Sequence, residues 1–217
     1  MNIEYARENM IKQQLRTWEV LDDQLLDLLQ QVPREDFVPP ALRNLAFVDM
    51  NIPLDEEQVM MTPGVEARML QALAVKSDET VLEVGSGSGY VTALLAKQAK
   101  QVYSVEISPH LLQQAGEKLA AHGIENVILE QGDAAQGWNI PNMYEVTAIT
   151  GSLPILPPAF LESMSIGGRL FAIIGDAPVM AATLITRVRN RGWSREVLFE
   201  TELPPLKNVQ PPERFVL

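Results

Sequence analysis

The sequence predicts an α/β fold: a doubly wound, mainly parallel sheet with helices on both faces and a helical extension at the N-terminal side. From Thr80 onward, short apolar runs alternate with stretches whose apolar residues recur at helical spacing, the pattern of strand-helix-strand units. The first run, Val81-Leu82-Glu83-Val84, breaks into glycines at alternate positions, Gly85, Gly87 and Gly89, where strand turns into helix. The chain has 217 residues and 47% hydrophobic content, enough for one sizeable core, and no Pro/Gly/Ser-rich linker or charge run divides it. One domain over residues 1–217 is therefore expected, with N-terminal helices and a cover segment through residue 75 and a sheet core from 76 to 217.

Taken in order, Glu4 to Leu15 and Asp22 to Gln31 carry apolar residues three and four apart and read as two amphipathic helices. Val32 through Glu57 is rich in Pro, Asp and Asn without a sustained period, so it reads as an irregular cover. Pro63 suits the first turn of a helix running to about Val75, after which Lys76-Ser77-Asp78 turns into the strand Thr80 to Val84. Tyr90 to Lys97 is the helix after the glycines, and Gln101 to Glu106 the second strand. Ser108 is the N-cap of a helix that has Pro109 at its first position and ends near His122 and Gly123. Strands follow at Asn126 to Glu130, Tyr144 to Thr150 and, after a Gly167-Gly168 turn, Arg169 to Ile174. Met180 to Arg189 and Ser194 to Glu202 complete the sheet.

Composition narrows the function. A formal charge of −11 argues against nucleic acid as a partner, since phosphate binding needs clustered Lys and Arg. With no cysteine and only two histidines, His110 and His122 on one expected helix, no metal centre is expected. The first residues lack an apolar signal core and no segment reaches membrane-spanning length, so the expected location is the cytoplasm and no membrane partner is expected. Oligomeric state is not legible.

The glycine spacing discriminates between nucleoside cofactors. A dinucleotide loop needs its third glycine one place later, where Tyr90 stands. The G-x-G-x-G form with Glu83 in the strand instead resembles the S-adenosylmethionine loop of class I methyltransferases. Glu83 would repel a phosphate but suits a sulfonium or ammonium group. Glu106 ends the second strand about twenty residues beyond the loop, where a carboxylate can accept from both ribose hydroxyls. Asp133, after the third strand, can accept from an adenine amine. All three sets fall at C-terminal strand ends, the ligand-binding edge of an open sheet. The expected cofactor set is Glu83, Gly85, Ser86, Gly87, Gly89, Glu106, Ile107, Asp133, Ala134 and Thr150.

With the loop placed, the flanks resemble the protein-L-isoaspartate O-methyltransferase family along nearly the whole chain. Ala6 to Leu15 is similar to its opening helix, Val32-Pro33-Arg34-Glu35-Asp36-Phe37-Val38-Pro39 to its Val-Pro-Arg-x-x-Phe-Val-Pro signature, and Ala46-Phe47-Val48-Asp49 to its Ala-Tyr-x-Asp. Val81 to Tyr90 resembles its cofactor loop, and Gly132-Asp133 with Gly137-Trp138 its Gly-Asp-Gly…Gly-Trp stretch. Leu203-Pro204-Pro205-Leu206 and Arg214-Phe215-Val216-Leu217 resemble its closing strand, with Phe215 expected in the core. The resemblance implies methyl transfer from S-adenosylmethionine, leaving S-adenosylhomocysteine, to the carboxylate of isoaspartyl residues in a damaged protein or peptide, a step that starts repair.

The chain departs from the family on the acceptor side. Where the family has Gly-Gln-Thr-Ile-Ser-x-Pro, this sequence reads Gln58-Val59-Met60-Met61-Thr62-Pro63, so Val59 stands for Thr and Met61 for Ser. The expected acceptor-side set is Gln58, Val59, Met60, Met61 and Thr62. A methionine cannot donate the hydrogen bond that a serine would, and Asp55-Glu56-Glu57 disfavours an approaching carboxylate. Thr62 and Ser152 are the hydroxyls that could take the serine's place; no catalytic residue is assigned. Two other readings stay open: a cofactor-binding member without isoaspartyl activity, and methyl transfer to a neutral or cationic small molecule.

Overall fold

The computed structural model describes residues 2–138 and 144–210. Helix α1 (Ile3–Asn9) is capped by Asn2 and continues through a π turn at Met10–Gln14 into α2 (Leu15–Thr17), so the first expected helix is present with a wide turn inside it. Helix α3 (Asp23–Gln31) begins where Asp22 accepts from the N–H groups of Gln24 and Leu25, and it buries Leu25, Leu26 and Leu29 along one face. The cover segment folds into short 3-10 turns, among them Arg34–Asp36 and Pro40–Leu45, and a small antiparallel hairpin of β1 (Ile52–Pro53) and β2 (Val59–Met60) around the turn Asp55–Glu57. Helix α4 (Pro63–Leu73) follows with Thr62 as its N-cap.

The sheet core contains β3 (Thr80–Val84), α5 (Tyr90–Gln98), β4 (Gln101–Glu106), α6 (Pro109–Ala121), β5 (Val127–Gln131), β6 (Tyr144–Leu153), α7 (Pro158–Ser163), β7 (Met164–Ile174), β8 (Met180–Arg189) and β9 (Gly192–Thr201). The seven strands lie in the order β5-β4-β3-β6-β7-β8-β9. Those from β5 to β7 are parallel, and β8 and β9 add antiparallel at one edge. The chain runs outward from β3 through β4 to β5, then returns to place β6 on the other side of β3. That reversal opens a crevice at the C-terminal ends of β3, β4 and β6.

Neighbouring residues of a strand point to opposite faces, and the core divides accordingly. Val81, Val102, Val146 and Phe171 face a layer built from α4, α5 and the N-terminal helices; Leu82, Val84, Val105 and Ile149 face the other side, with Phe160 and Tyr144. The N-terminal helices thus share a hydrophobic cluster with the sheet, each fully buried aliphatic side chain contributing roughly 1.5–3 kcal/mol.

Three features differ from expectation. Strand β6 runs on to Leu153, past Thr150. Strand β7 begins at Met164 and passes through Gly167-Gly168 instead of starting after a turn; the pairing with β6 slips between Tyr144 and Val146, and Gly167 takes φ +83° at the irregularity. Helix α7 was not anticipated; it has six residues and one buried side chain, Phe160, too little for a period to register. The expectations for residues 214 to 217, Phe215 included, lie outside the described residues.

Candidate functional site

The loop after β3 is held from below and from the side. Gly85 donates to Val105 O at 2.8 Å at φ +97°, and a Cβ there would stand 2.5 Å from Thr150 Oγ1. The Thr150 hydroxyl reaches Val84 O at 2.8 Å and Gly85 O at 2.6 Å, tying the end of β6 to the loop. Gly89, at φ +83°, lets the loop meet α6 at Ala115, 3.2 Å from where a Cβ would sit. Ser86 pairs with Ser104 at 2.6 Å.

Glu83 lies beneath this loop and lines neither cavity at the crevice. It is fully buried, its Oε2 accepting from the hydroxyls of Thr92, at 2.6 Å, and Ser104. Burial pushes its carboxyl up to about 8 despite those two bonds, so near neutrality it is largely uncharged and braces the loop rather than presenting a charge to a ligand.

Glu106 and Asp133 meet in one cleft. Glu106 accepts from Gly87 N at 2.9 Å and Ser108 N at 3.0 Å, which fixes both carboxylate oxygens at the end of β4. Asp133 accepts from Ala135 N at 2.9 Å and from the Asn208 side chain at 2.8 Å. Ile107 and Ala134 line the same cleft, with Val105, Ala135 and Leu206 as apolar wall; Gln58 enters from the cover segment and Lys207 from the C-terminal segment. Among the described residues, Lys207 is the one cation lining this cleft, and it is paired with Glu56 at 3.2 Å. Glu56 also accepts from Ser108 Oγ at 2.7 Å, and these two bonds, that from Ser108 first, hold its carboxyl below the ordinary value. Two carboxylates between apolar walls suit a nucleoside with free hydroxyls and an exocyclic amine, and a cleft whose one cation among the described residues is already paired does not suit a pyrophosphate. The residues present therefore fit S-adenosylmethionine.

A second cavity adjoins the first at Gly85 and runs along Ser86, Gly87 and Ser88. Val59, Met60 and Met61 line it together with Thr150, Val91 and Glu66, so of the expected acceptor-side set Gln58 lies in the nucleoside cleft and the next three here. Met60 and Met61 are almost wholly buried and belong also to the core. Thr62 Oγ1 faces its own helix, accepting from Val65 N at 3.4 Å, and Ser152 Oγ is buried and donates to Leu203 O at 2.7 Å. Neither hydroxyl faces the second cavity.

Sequence reasoning missed Arg34 and Glu66. Arg34 is buried, donates to Met61 O at 2.6 Å, lies 3.4 Å from Glu66 and stacks over the Tyr90 ring at 5.3 Å. Glu66 is 1% exposed, and neither of its oxygens has a hydrogen-bond partner. Desolvation pushes its carboxyl up to about 8, against the pull of Arg34. The signal was present: Glu66 is an acid among the apolar residues Val65, Ala67, Met69 and Leu70 of one helix. Among the described residues no group of three or more His, Cys, Asp or Glu side chains could hold a metal, and no helix is long and apolar enough to cross a membrane.

A mainly parallel sheet with a nucleoside cleft at its switch point, floored by this glycine loop, defines the class I methyltransferase fold. A profile of the protein-L-isoaspartate(D-aspartate) O-methyltransferase family matches residues 5–205, and the chain belongs to that family. Relatives of that name include one from Synechococcus sp. (strain JA-2-3B'a(2-13)), 35% identical over 92% of this chain and 84% of its own length. Another, from Pelobacter propionicus, is 37% identical over 88% of this chain and 84% of its own length. A Plasmodium falciparum chain carrying the protein-L-isoaspartate O-methyltransferase name, solved with S-adenosyl-L-homocysteine, shares the fold with a TM-score of 0.79 over 95% of this chain and 99% of its own, at 19% identity.

Proposed function

We propose that this chain is an S-adenosylmethionine-dependent O-methyltransferase acting in the cytoplasm on the carboxylate of isoaspartyl residues in proteins. The observation that carries the reading is the convergence of Glu106, Asp133 and the Gly85–Gly89 loop on one apolar-walled cleft in a member of this family. Glu106 would accept from the ribose hydroxyls and Asp133 from the adenine amine, while Ile107, Ala134 and Leu206 would cover the base. S-adenosylmethionine would supply an electrophilic methyl group, taken by an oxygen nucleophile as the C–S electron pair returns to sulfur. A carboxylate arrives already ionised, so the protein needs no general base, and its contribution is positioning in a water-poor cavity.

The test is incubation with labelled S-adenosylmethionine and an isoaspartyl peptide, reading base-labile methyl ester beside calorimetry of S-adenosylhomocysteine. Ester formed at an ordinary enzymatic rate supports the reading. Cofactor binding without ester overturns the isoaspartyl function and favours one of the other two roles, while absence of cofactor binding overturns the methyltransferase function itself.

A further inference from the structure

Met61 stands where the family resemblance puts a serine, yet the cavity beside it holds a polar group that the proposed reaction has not used. Thr62 caps α4, Ser152 donates to Leu203 O, Thr150 spends its hydroxyl on Val84 O and Gly85 O, Ser86 pairs with Ser104, and Ser88 Oγ is engaged by Tyr90 N. Among the described residues lining that cavity, Glu66 is the one whose side-chain oxygens are buried without a hydrogen-bond partner. It sits in the first turn of α4, and the backbone of Met61 is held to it through Arg34, which donates to Met61 O at 2.6 Å and lies 3.4 Å from Glu66 Oε2.

We propose that Glu66 orients the acceptor carboxylate, its carboxyl O–H donating the hydrogen bond that a serine at position 61 would make. The inference rests on the isoaspartyl reading and names the residue that would make it work here. Three facts support it. An O–H donor to a carboxylate makes a short, strong hydrogen bond. Burial keeps the proton on Glu66 up to about pH 8, because Arg34 spends its best bond on Met61 O rather than on the carboxyl. With Glu66 neutral, the buried guanidinium of Arg34 has no counter-charge at that point, so an entering anion is drawn to this end of the cavity and the repulsion from Asp55, Glu56 and Glu57 is offset. Among the described residues, the charged and titratable groups facing Glu66 are Arg34, from the turn Arg34–Asp36, and Tyr90, from α5, with the paired Glu35 and Arg7 beyond Tyr90.

The experiment compares wild type with Glu66→Leu and Glu66→Gln. It measures kcat/KM for an isoaspartyl peptide from pH 6 to 9, peptide affinity for the protein saturated with S-adenosylhomocysteine, and affinity for S-adenosylhomocysteine alone. Glu66→Leu should lower kcat/KM and peptide affinity by about 10- to 100-fold, the range for a hydrogen bond to a charged group. Glu66→Gln, which keeps a donor, should recover to within about threefold of wild type. Wild-type kcat/KM should fall above about pH 8, and that of the Gln variant should not. S-adenosylhomocysteine should bind all three alike, which also reports that they are folded. The proposal is overturned if the Gln variant is as poor as the Leu variant, if its pH profile follows wild type, or if S-adenosylhomocysteine affinity falls in step with peptide affinity. A wild-type protein that forms no ester overturns the isoaspartyl reading itself, an outcome distinct from ester formation that ignores residue 66.

Discussion

The side-chain amide of Asn208 donates to Asp133 Oδ2 at 2.8 Å, so the C-terminal segment holds the carboxylate oxygen on which an adenine amine is expected to land. An adenine amine bound to the same oxygen would have to share it with the protein's own amide. Asn208→Ala should bind S-adenosylhomocysteine tighter, by about 2- to 10-fold, the worth of one net hydrogen bond. Calorimetry reads this directly; weaker binding would mean that Asn208 assists the ligand instead.

At the other end of the nucleoside, Glu106→Ala removes the acceptor that also holds Gly87 N and Ser108 N. Affinity for S-adenosylhomocysteine should drop by about 10- to 100-fold. Gly85→Ala should do at least as much by a different route, since its Cβ would meet Thr150 Oγ1 at 2.5 Å at a φ that side chains rarely adopt. Adding Thr150→Ser to Gly85→Ala should not restore binding, because that hydroxyl oxygen is kept.

Arg169 grips Glu79 with two bonds of 2.7 Å and donates as well to Leu73 O and Ala74 O, joining β7 to the end of α4 and the turn before β3. Burial acts to raise the Glu79 carboxyl, but the Arg169 bonds and charge, together with the bond from Lys76 N and the Lys76 charge, offset it and hold the group below its ordinary value. Arg169→Met strands this carboxylate in a largely buried place and should cost about 3 kcal/mol, read as a melting point lower by about 6–12 °C. Arg169→Lys should recover little, since an ammonium cannot make the fork.

Glu66 and Glu83 predict a pH dependence of opposite sign to that of Glu79. Both are raised to about 8 in the folded protein from an ordinary 4.5, so the folded chain holds protons that the unfolded chain has released. Their contribution is fully present below pH 4.5 and is lost as pH rises through about 8, with a slope of at most about 1.4 kcal/mol per pH unit for each group. Glu79, lowered, contributes above its ordinary value and loses that contribution in acid. Urea denaturation from pH 5 to 9 should therefore show wild type weakening toward pH 8 and the Glu66→Gln, Glu83→Gln double variant weakening less. A parallel fall in both proteins would rule out these carboxyls as the cause.

Strands β3 and β4 lie where the sequence places them, Thr80–Val84 and Gln101–Glu106, because each is a short apolar run closed by a turn signal and central in the sheet, where local pattern and burial agree. The cap residue Ser108 was likewise legible, since the bond it makes, to Leu111 N, reaches only three residues along the chain. The passage through Gly167-Gly168 was not: two glycines read locally as a turn, and the pairing of β7 with β6 across the sheet overrides that reading. Glu83 was recognised as a site residue from its place beside the glycines, but its direction depended on Thr92 and Ser104, nine and 21 residues further on.

What the sequence determined by itself is the succession of the seven sheet strands, the family, and the three strand ends that carry Gly85–Gly89, Glu106 and Asp133, because each is written in adjacent residues. Tertiary structure alone decided which carboxyls line the nucleoside cleft and which are sealed from water. Glu106 and Asp133 line the cleft, while desolvation pushes the Glu83 and Glu66 carboxyls up, and that desolvation follows from how many atoms of distant segments exclude water from each group. It also decided that the Ser152 hydroxyl is spent on Leu203 O and that Arg34, from the cover segment, meets Glu66 from the helix beyond it. Those are relations between segments 30 and more residues apart, and they exist only once the chain has closed on itself.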